Sequence, residues 1–144
     1  MDIDDYRALC ELKARYFRLI DTKRWVELRD VFTDELVYED DAKELTLNGA
    51  DAFLAFLTER HAHSTSIHHG HMPELSLQDE THASGIWAME DLVFLPNGTR
   101  TTTQHGYGHY LETYRKADGR WRIASIHLTR LRITVSEELI PGRQ

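Results

Sequence analysis

Hydrophobic spacing changes once along this chain, and that change decides the fold class. Over residues 5–20, apolar side chains recur at Tyr6, Leu9, Cys10, Tyr16, Phe17 and Ile20, the spacing of one face of an α-helix. A second short helix is expected from about residue 24 to 32, and a brief strand at Leu36-Val37-Tyr38. Asn48-Gly49 opens a third helix, about residues 50–61, with Phe53, Leu54, Phe56 and Leu57 on its apolar side. Beyond it the period falls to two: residues 66–69, 74–78, 84–95, 101–115 and 121–135 alternate as strands do. Pro96-Asn97-Gly98 and Ala117-Asp118-Gly119-Arg120 carry the turn residues that join the last three as an antiparallel meander. Helices followed by strands predict an α+β domain in which the helices cover one face of a curved antiparallel sheet. Such a sheet encloses a cone-shaped, closed-ended pocket of the kind that suits a small apolar ligand.

A chain of 144 residues without repeats or linkers is expected to form one domain, 1–144. Its net charge of -7 argues against nucleic acid or an anionic membrane as a partner, since both require clustered Lys and Arg. The lone Cys10 leaves no intrachain disulfide and fits a reducing compartment. No apolar run approaches membrane-spanning length, and Met1-Asp2-Ile3-Asp4-Asp5 lacks the basic stretch of a signal peptide. A soluble cytoplasmic protein is the expectation.

The richest chemistry lies in Ser66-Ile67-His68-His69-Gly70-His71-Met72-Pro73. Imidazole exchanges protons near neutral pH, so the cluster invites a catalytic or a metal-binding reading. Strand alternation divides it: Ser66, His68 and Gly70 share one face, while His69 and His71 take the other. The rings therefore do not converge, and no HExxH or paired CxxC motif is present, so no metal is expected. His61 and His63, at the end of the third helix, read as solvated.

An acid that could orient His68 is Asp21, directly after the first helix. It could equally cap the next helix. Tyr16 lies about one helical turn earlier, as a cavity residue or an ordinary core tyrosine. Asp91 is the odd charge in Trp87-Ala88-Met89-Glu90-Asp91-Leu92-Val93-Phe94, where alternation sets it with Trp87, Met89 and Val93. A carboxylate among such neighbours is paired, exposed or functional. Arg130 shares parity with Ile126 and Leu128, so it either turns inward to a carboxylate or faces water. His105 sits in a strand interrupted by Gly106 and Gly108, glycines that often mark close approach of a ligand or backbone. Asp40, beside Glu39 and Asp41, reads as solvated.

The segment Lys13-Ala14-Arg15-Tyr16-Phe17-Arg18-Leu19-Ile20-Asp21-Thr22-Lys23-Arg24-Trp25 resembles the first-helix signature of the SnoaL-like branch of the nuclear-transport-factor-2-like superfamily. The likeness extends through residues 66–74 and 85–91 and through Tyr114-Arg115-Lys116-Ala117-Asp118-Gly119-Arg120-Trp121, with an arginine following at the matching place. Within the branch the chain is similar to the bacterial bile-acid 7α-dehydratases, and more distantly to scytalone dehydratases and lindane dehydrochlorinases. The resemblance implies a cone-shaped α+β barrel in which Tyr16, Asp21, His68, Asp91 and Arg130 match the active-site positions; His105 and Trp87 are expected, apart from the resemblance, to bind substrate. Ile20 stands where scytalone dehydratases carry a tyrosine, and the bile-acid enzymes' long C-terminal extension is lacking.

The function expected from these positions is a cofactor-free lyase that eliminates water from a small, apolar, cyclic hydroxy-ketone. An isomerase or polyketide-cyclase-like enzyme using the same base stays open, as does a non-catalytic binding or assembly module. Leu92 and Phe94 on the outer face of the sheet need cover, which predicts a homo-oligomer, dimer or trimer.

Overall fold

The computed structural model describes residues 1–139 as three helices and six strands. Helix α1 spans Ile3–Asp21, α2 Trp25–Arg29 and α3 Ala50–Arg60; strands β1 to β6 span Phe32–Asp40, Leu45–Asn48, Thr65–Leu77, His82–Asn97, Arg100–Ala117 and Arg120–Leu139. The carboxylate of Asp2 caps α1 by accepting from the Asp5 N–H, and Asp4 and Asp5 complement the positive end of its dipole. The helix stops at Asp21 because Lys23 takes a left-handed φ of 57°. The N–H groups of Lys23 and Arg24 then donate back to the carbonyls of Ile20 and Leu19, a Schellman closure.

The strands form one open sheet in the order β2-β1-β6-β5-β4-β3. Strands β4 to β6 run as the expected antiparallel meander and β3 extends it, but β1 pairs with β6 in parallel, so the sheet is mixed. The turn after β5 uses Asp118 and Gly119, both at positive φ, which suits the twist of a tight hairpin. The two expected short strands around residue 70 are one continuous strand, β3, whose register slips between Gly70 and Pro73. Strand β2 was not legible in the hydrophobic pattern, having only four half-exposed residues.

Helix α1 lays Leu9, Leu12, Tyr16, Phe17, Leu19 and Ile20 against the inner face of the sheet, and α3 covers β1 with Phe53 and Leu57. Burying each such side chain contributes about 1.5–3 kcal/mol. The inner faces of β4, β5 and β6 supply Trp87, Met89, Tyr110, Tyr114, Ile126 and Leu128. No described helix is long and apolar enough to cross a membrane.

Candidate active site

The last turn of α1 carries Tyr16 and Asp21 over β3. Asp21 is the final helical residue and does not cap α2, whose N-cap is Arg24 without a side-chain hydrogen bond. Its carboxylate is instead taken up by β3. Asp21 Oδ2 accepts from the His68 backbone N–H at 2.9 Å; Oδ1 accepts from His68 Nδ1 at 2.6 Å and from the Ser66 hydroxyl at 2.9 Å. With Nδ1–H donated to the carboxylate, Nε2 is left as the acceptor nitrogen. The ring of His68 is mostly buried and stacks on Phe17, 6.2 Å between centroids and 14° between planes.

Across the inner face, Arg130 on β6 reaches over β5 to Asp91 on β4. The pair is bidentate, Nη1 to Oδ1 at 3.0 Å and Nη2 to Oδ2 at 2.9 Å, and both side chains are buried. Nη1 also lies 3.6 Å from the sulfur of Met89, while Nε is buried with no hydrogen-bond partner. The intervening strand must lack a side chain for this to happen. A Cβ on Gly106 would sit 2.4 Å from Arg130 Nη1 and 2.5 Å from Asp91 Oδ1. Gly108 serves the backbone instead: a Cβ there would meet the Thr129 carbonyl oxygen at 1.9 Å, at the bulge between β5 and β6. The glycines do mark close approach, of this ion pair and this bulge.

Tyr16, His68, Asp91 and Arg130 line a common cavity, with Asp21 behind His68. A pocket is present, but it is lined mainly by polar and charged side chains, not the apolar wall expected, and its volume is only about 30 Å³, the space of about one water molecule. Roomier hollows open elsewhere, one of about 600 Å³ on the outer face of the sheet, but none of these five residues lines them. The acid–base groups, not the size of the hollow, identify the site.

Several wall residues were not legible in the sequence. His61, expected to be solvated, is 2% exposed; its Nδ1 lies 3.1 Å from the Ser64 hydroxyl and its ring edge faces His68 at 6.0 Å. Burial, aided by the neighbouring His68 and Arg60, pushes its pKa down to about 4, so it is neutral at physiological pH. His63, by contrast, is exposed as expected. Asp40, also expected in solvent, is buried: it accepts from the Tyr38 hydroxyl at 3.3 Å and faces Lys43 Nζ at 3.4 Å. Tyr110 completes the wall, and burial raises its phenol and that of Tyr16 well above the usual tyrosine range. Their polar partners are local, Ser64 for His61 and Tyr38 and Lys43 for Asp40, but the cavity wall they share with His68, Leu128 and Arg130 comes from other elements, which local pattern does not reveal.

Two expected site residues fall away from the cavity. His105 has the wrong parity: it faces outward beside Glu90, with Nε2 3.1 Å from the carboxylate and its ring stacked on Tyr107. Trp87 has the right parity, but four residues of strand set it about 13 Å from Asp91. There it packs near Phe17 and Gly70 and donates its indole N–H to the Tyr114 hydroxyl at 2.8 Å. His69 and His71 also face outward, at 3.8 and 3.9 Å from Glu90. Among the described residues no group of three or more His, Cys, Asp or Glu is arranged to hold a metal ion.

The sequence profile of the SnoaL-like domain matches residues 1–127. Among solved structures, a provisionally named scytalone dehydratase from Novosphingobium aromaticivorans superposes with a TM-score of 0.84 at 20% identity, over 99% of this chain and 96% of that one. A type 2 hexachlorocyclohexane dehydrochlorinase (LinA) gives 0.83 at 17% identity, over 97% and 96%. A protein of unknown function from Mycobacterium tuberculosis gives 0.75 at 24% identity, over 89% and 72%. At these identities the structural likeness establishes the nuclear-transport-factor-2-like cone fold.

Proposed function

Because the chain belongs to the SnoaL-like domain family, whose shared fold by itself assigns no reaction, we propose a function from the cavity: a cofactor-independent lyase that removes water from a cyclic hydroxy-ketone. The observation that carries this reading is the Asp21–His68 pair, a histidine held by a carboxylate through Nδ1 at the wall of a small cavity. In the proposed reaction His68 Nε2 takes a proton from the carbon beside the ketone, and Asp21 stabilises the resulting imidazolium. Electron density moves to the carbonyl oxygen, which the Asp91–Arg130 end of the cavity polarises. The enolate then expels the β-hydroxyl, which leaves as water with a proton from the Tyr16 phenol. The product is a conjugated enone, and His68 returns a proton to Tyr16 to complete the cycle.

A dehydrochlorinase and a provisionally named scytalone dehydratase share this fold, and both names denote β-elimination. That agreement supports the reaction class and leaves the ring system open. A ligand of steroid or polycyclic size needs a pocket of roughly 300 Å³ or more. In the proposal the wall formed by α3 and the loop around Lys43 therefore moves outward as substrate enters.

The outer face of the sheet exposes Ile86, Tyr107 and Leu111, apolar side chains that a homo-oligomer would cover. Light scattering on the purified chain tests this, and a monomer would refute it.

The test of function is a screen of hydroxylated steroid and polycyclic ketones for new conjugated absorbance, with His68→Ala as control. Turnover that yields an isomerised or cyclised product at unchanged composition would assign the same base to an isomerase or cyclase instead. Binding without turnover would assign a ligand-binding module.

A further inference from the structure

Lys13 lies on the inner side of α1, fully buried, where a lysine is almost never found without a strong reason. Its Nζ donates to Glu112 Oε1, and Glu112 is buried just as completely. The other carboxylate oxygen accepts from the Tyr114 hydroxyl at 2.6 Å, and Tyr114 in turn accepts from the Trp87 indole at 2.8 Å. The ammonium also sits against aromatic faces. It is 3.7 Å from the centroid of Tyr110, 4.0 Å from Tyr16 and 4.8 Å from Phe17.

Stability does not require such an arrangement. Apolar groups of similar volume commonly replace a buried ion pair with no loss, and often with a gain. The location is more informative. Tyr16 and Tyr110 both reach the cavity that holds His68, whereas Lys13 and Glu112 stop behind their rings and do not line it. The pair therefore touches the cavity through those two phenols, while a longer contact with Phe17 leads to the His68 ring that stacks on it. A cation on the face of an aromatic ring is attracted to it, fixes its orientation and withdraws electron density from the hydroxyl on its edge.

We infer that Lys13, kept charged by Glu112, is a positioning residue: it locks Tyr16 and Tyr110 in place and makes their hydroxyls stronger hydrogen-bond donors to a ligand in the cavity. The role of Tyr16 as proton donor is the part that rests on the function proposed above. The ammonium drives no step of its own; it sets the strength of the acid that assists departure of the leaving group.

The test compares the wild type with Lys13→Met/Glu112→Gln, each with and without Tyr16→Phe. The double variant removes one charge of each sign and nearly preserves volume. It is expected to fold, to keep KM within about twofold and to lose about tenfold in kcat. In the Tyr16→Phe background the same double variant should cost nothing further, because the phenol through which Lys13 acts is gone.

A second readout needs no turnover. With difluorotyrosine incorporated, the fluorine resonance of Tyr16, assigned by its absence in Tyr16→Phe, is followed against pH. Its ionisation should move to higher pH by about one unit in the double variant. Should the double variant fail to fold, Lys13→Met alone removes the cation, leaves the Glu112 side chain beside Tyr16 and should move both readouts the same way. An unchanged titration overturns the inference, and so does a kcat loss that is equal with and without Tyr16. If the wild type turns over none of the ketones, the proposed function fails, and the titration alone decides the role of Lys13.

Discussion

Asp21 grips His68 at two points, the ring Nδ1 at 2.6 Å and the backbone N–H at 2.9 Å. One carboxylate thus fixes both the imidazole and the strand that carries it. This contact joins the C-terminal end of α1 to β3, so the geometry of the proposed base depends on where the helix stops.

Asp21→Asn keeps the shape of that contact and changes its polarity. An amide that turns its NH₂ toward Nδ1 would stabilise the wrong tautomer, with the proton on Nε2. Activity on an identified substrate should fall by about two to four orders of magnitude, while the circular dichroism spectrum stays native. Ser66→Ala, which removes one of three hydrogen bonds to the carboxylate, should cost less than tenfold.

The Asp91–Arg130 pair separates stability from function. Arg130→Met leaves Asp91 buried without its partner and should destabilise the protein by about 3–5 kcal/mol in urea unfolding. Asp91→Leu/Arg130→Met together should recover most of that loss and remain inactive. A double variant as unstable as the single one would show that the pair contributes net stability.

Gly106→Ala tests the steric account of the same pair. The new methyl would fall within contact distance of both charged groups and must push them apart. A loss of about 1–3 kcal/mol is expected, with reduced activity. Gly108→Ala should be at least as harmful, since the obstacle there is the Thr129 backbone and not a movable side-chain end.

His61 makes stability depend on pH. Its folded pKa lies near 4, below the ordinary histidine value of about 6.5. Above the unfolded value both states are neutral and its contribution is fully present. As pH falls from about 6.5 toward 4 the unfolded chain takes up the proton first, so stability is lost, by up to about 3 kcal/mol. Urea midpoints across that window should fall less steeply in His61→Phe than in the wild type.

Much of this was legible in the sequence. The fall in period from about 3.6 to two placed the helical layer and the meander, because each element has one buried face. Parity alone separated His68 from His69 and His71 and set Asp91 among apolar neighbours. The same rule, applied to His105, shows it facing outward; Gly106 beside it belongs to the Asp91–Arg130 pair, and Gly108 to the bulge between β5 and β6. Lys13, Asp40 and His61 were not legible, because a polar residue reads as solvated until the elements that pack over it are known. Strand β2 escaped because four half-exposed residues leave no periodic signal.

In the proposed reaction His68 is the base and Asp21 its support. The most direct measurement is the appearance of conjugated enone absorbance from a hydroxylated ketone found by the screen, followed in single turnover for wild type, His68→Ala and Asp21→Asn. A fast rise is expected for the wild type and a rise slower by about a hundredfold or more for each variant, with all three binding the ketone. Equal rates in wild type and His68→Ala would contradict this role of His68.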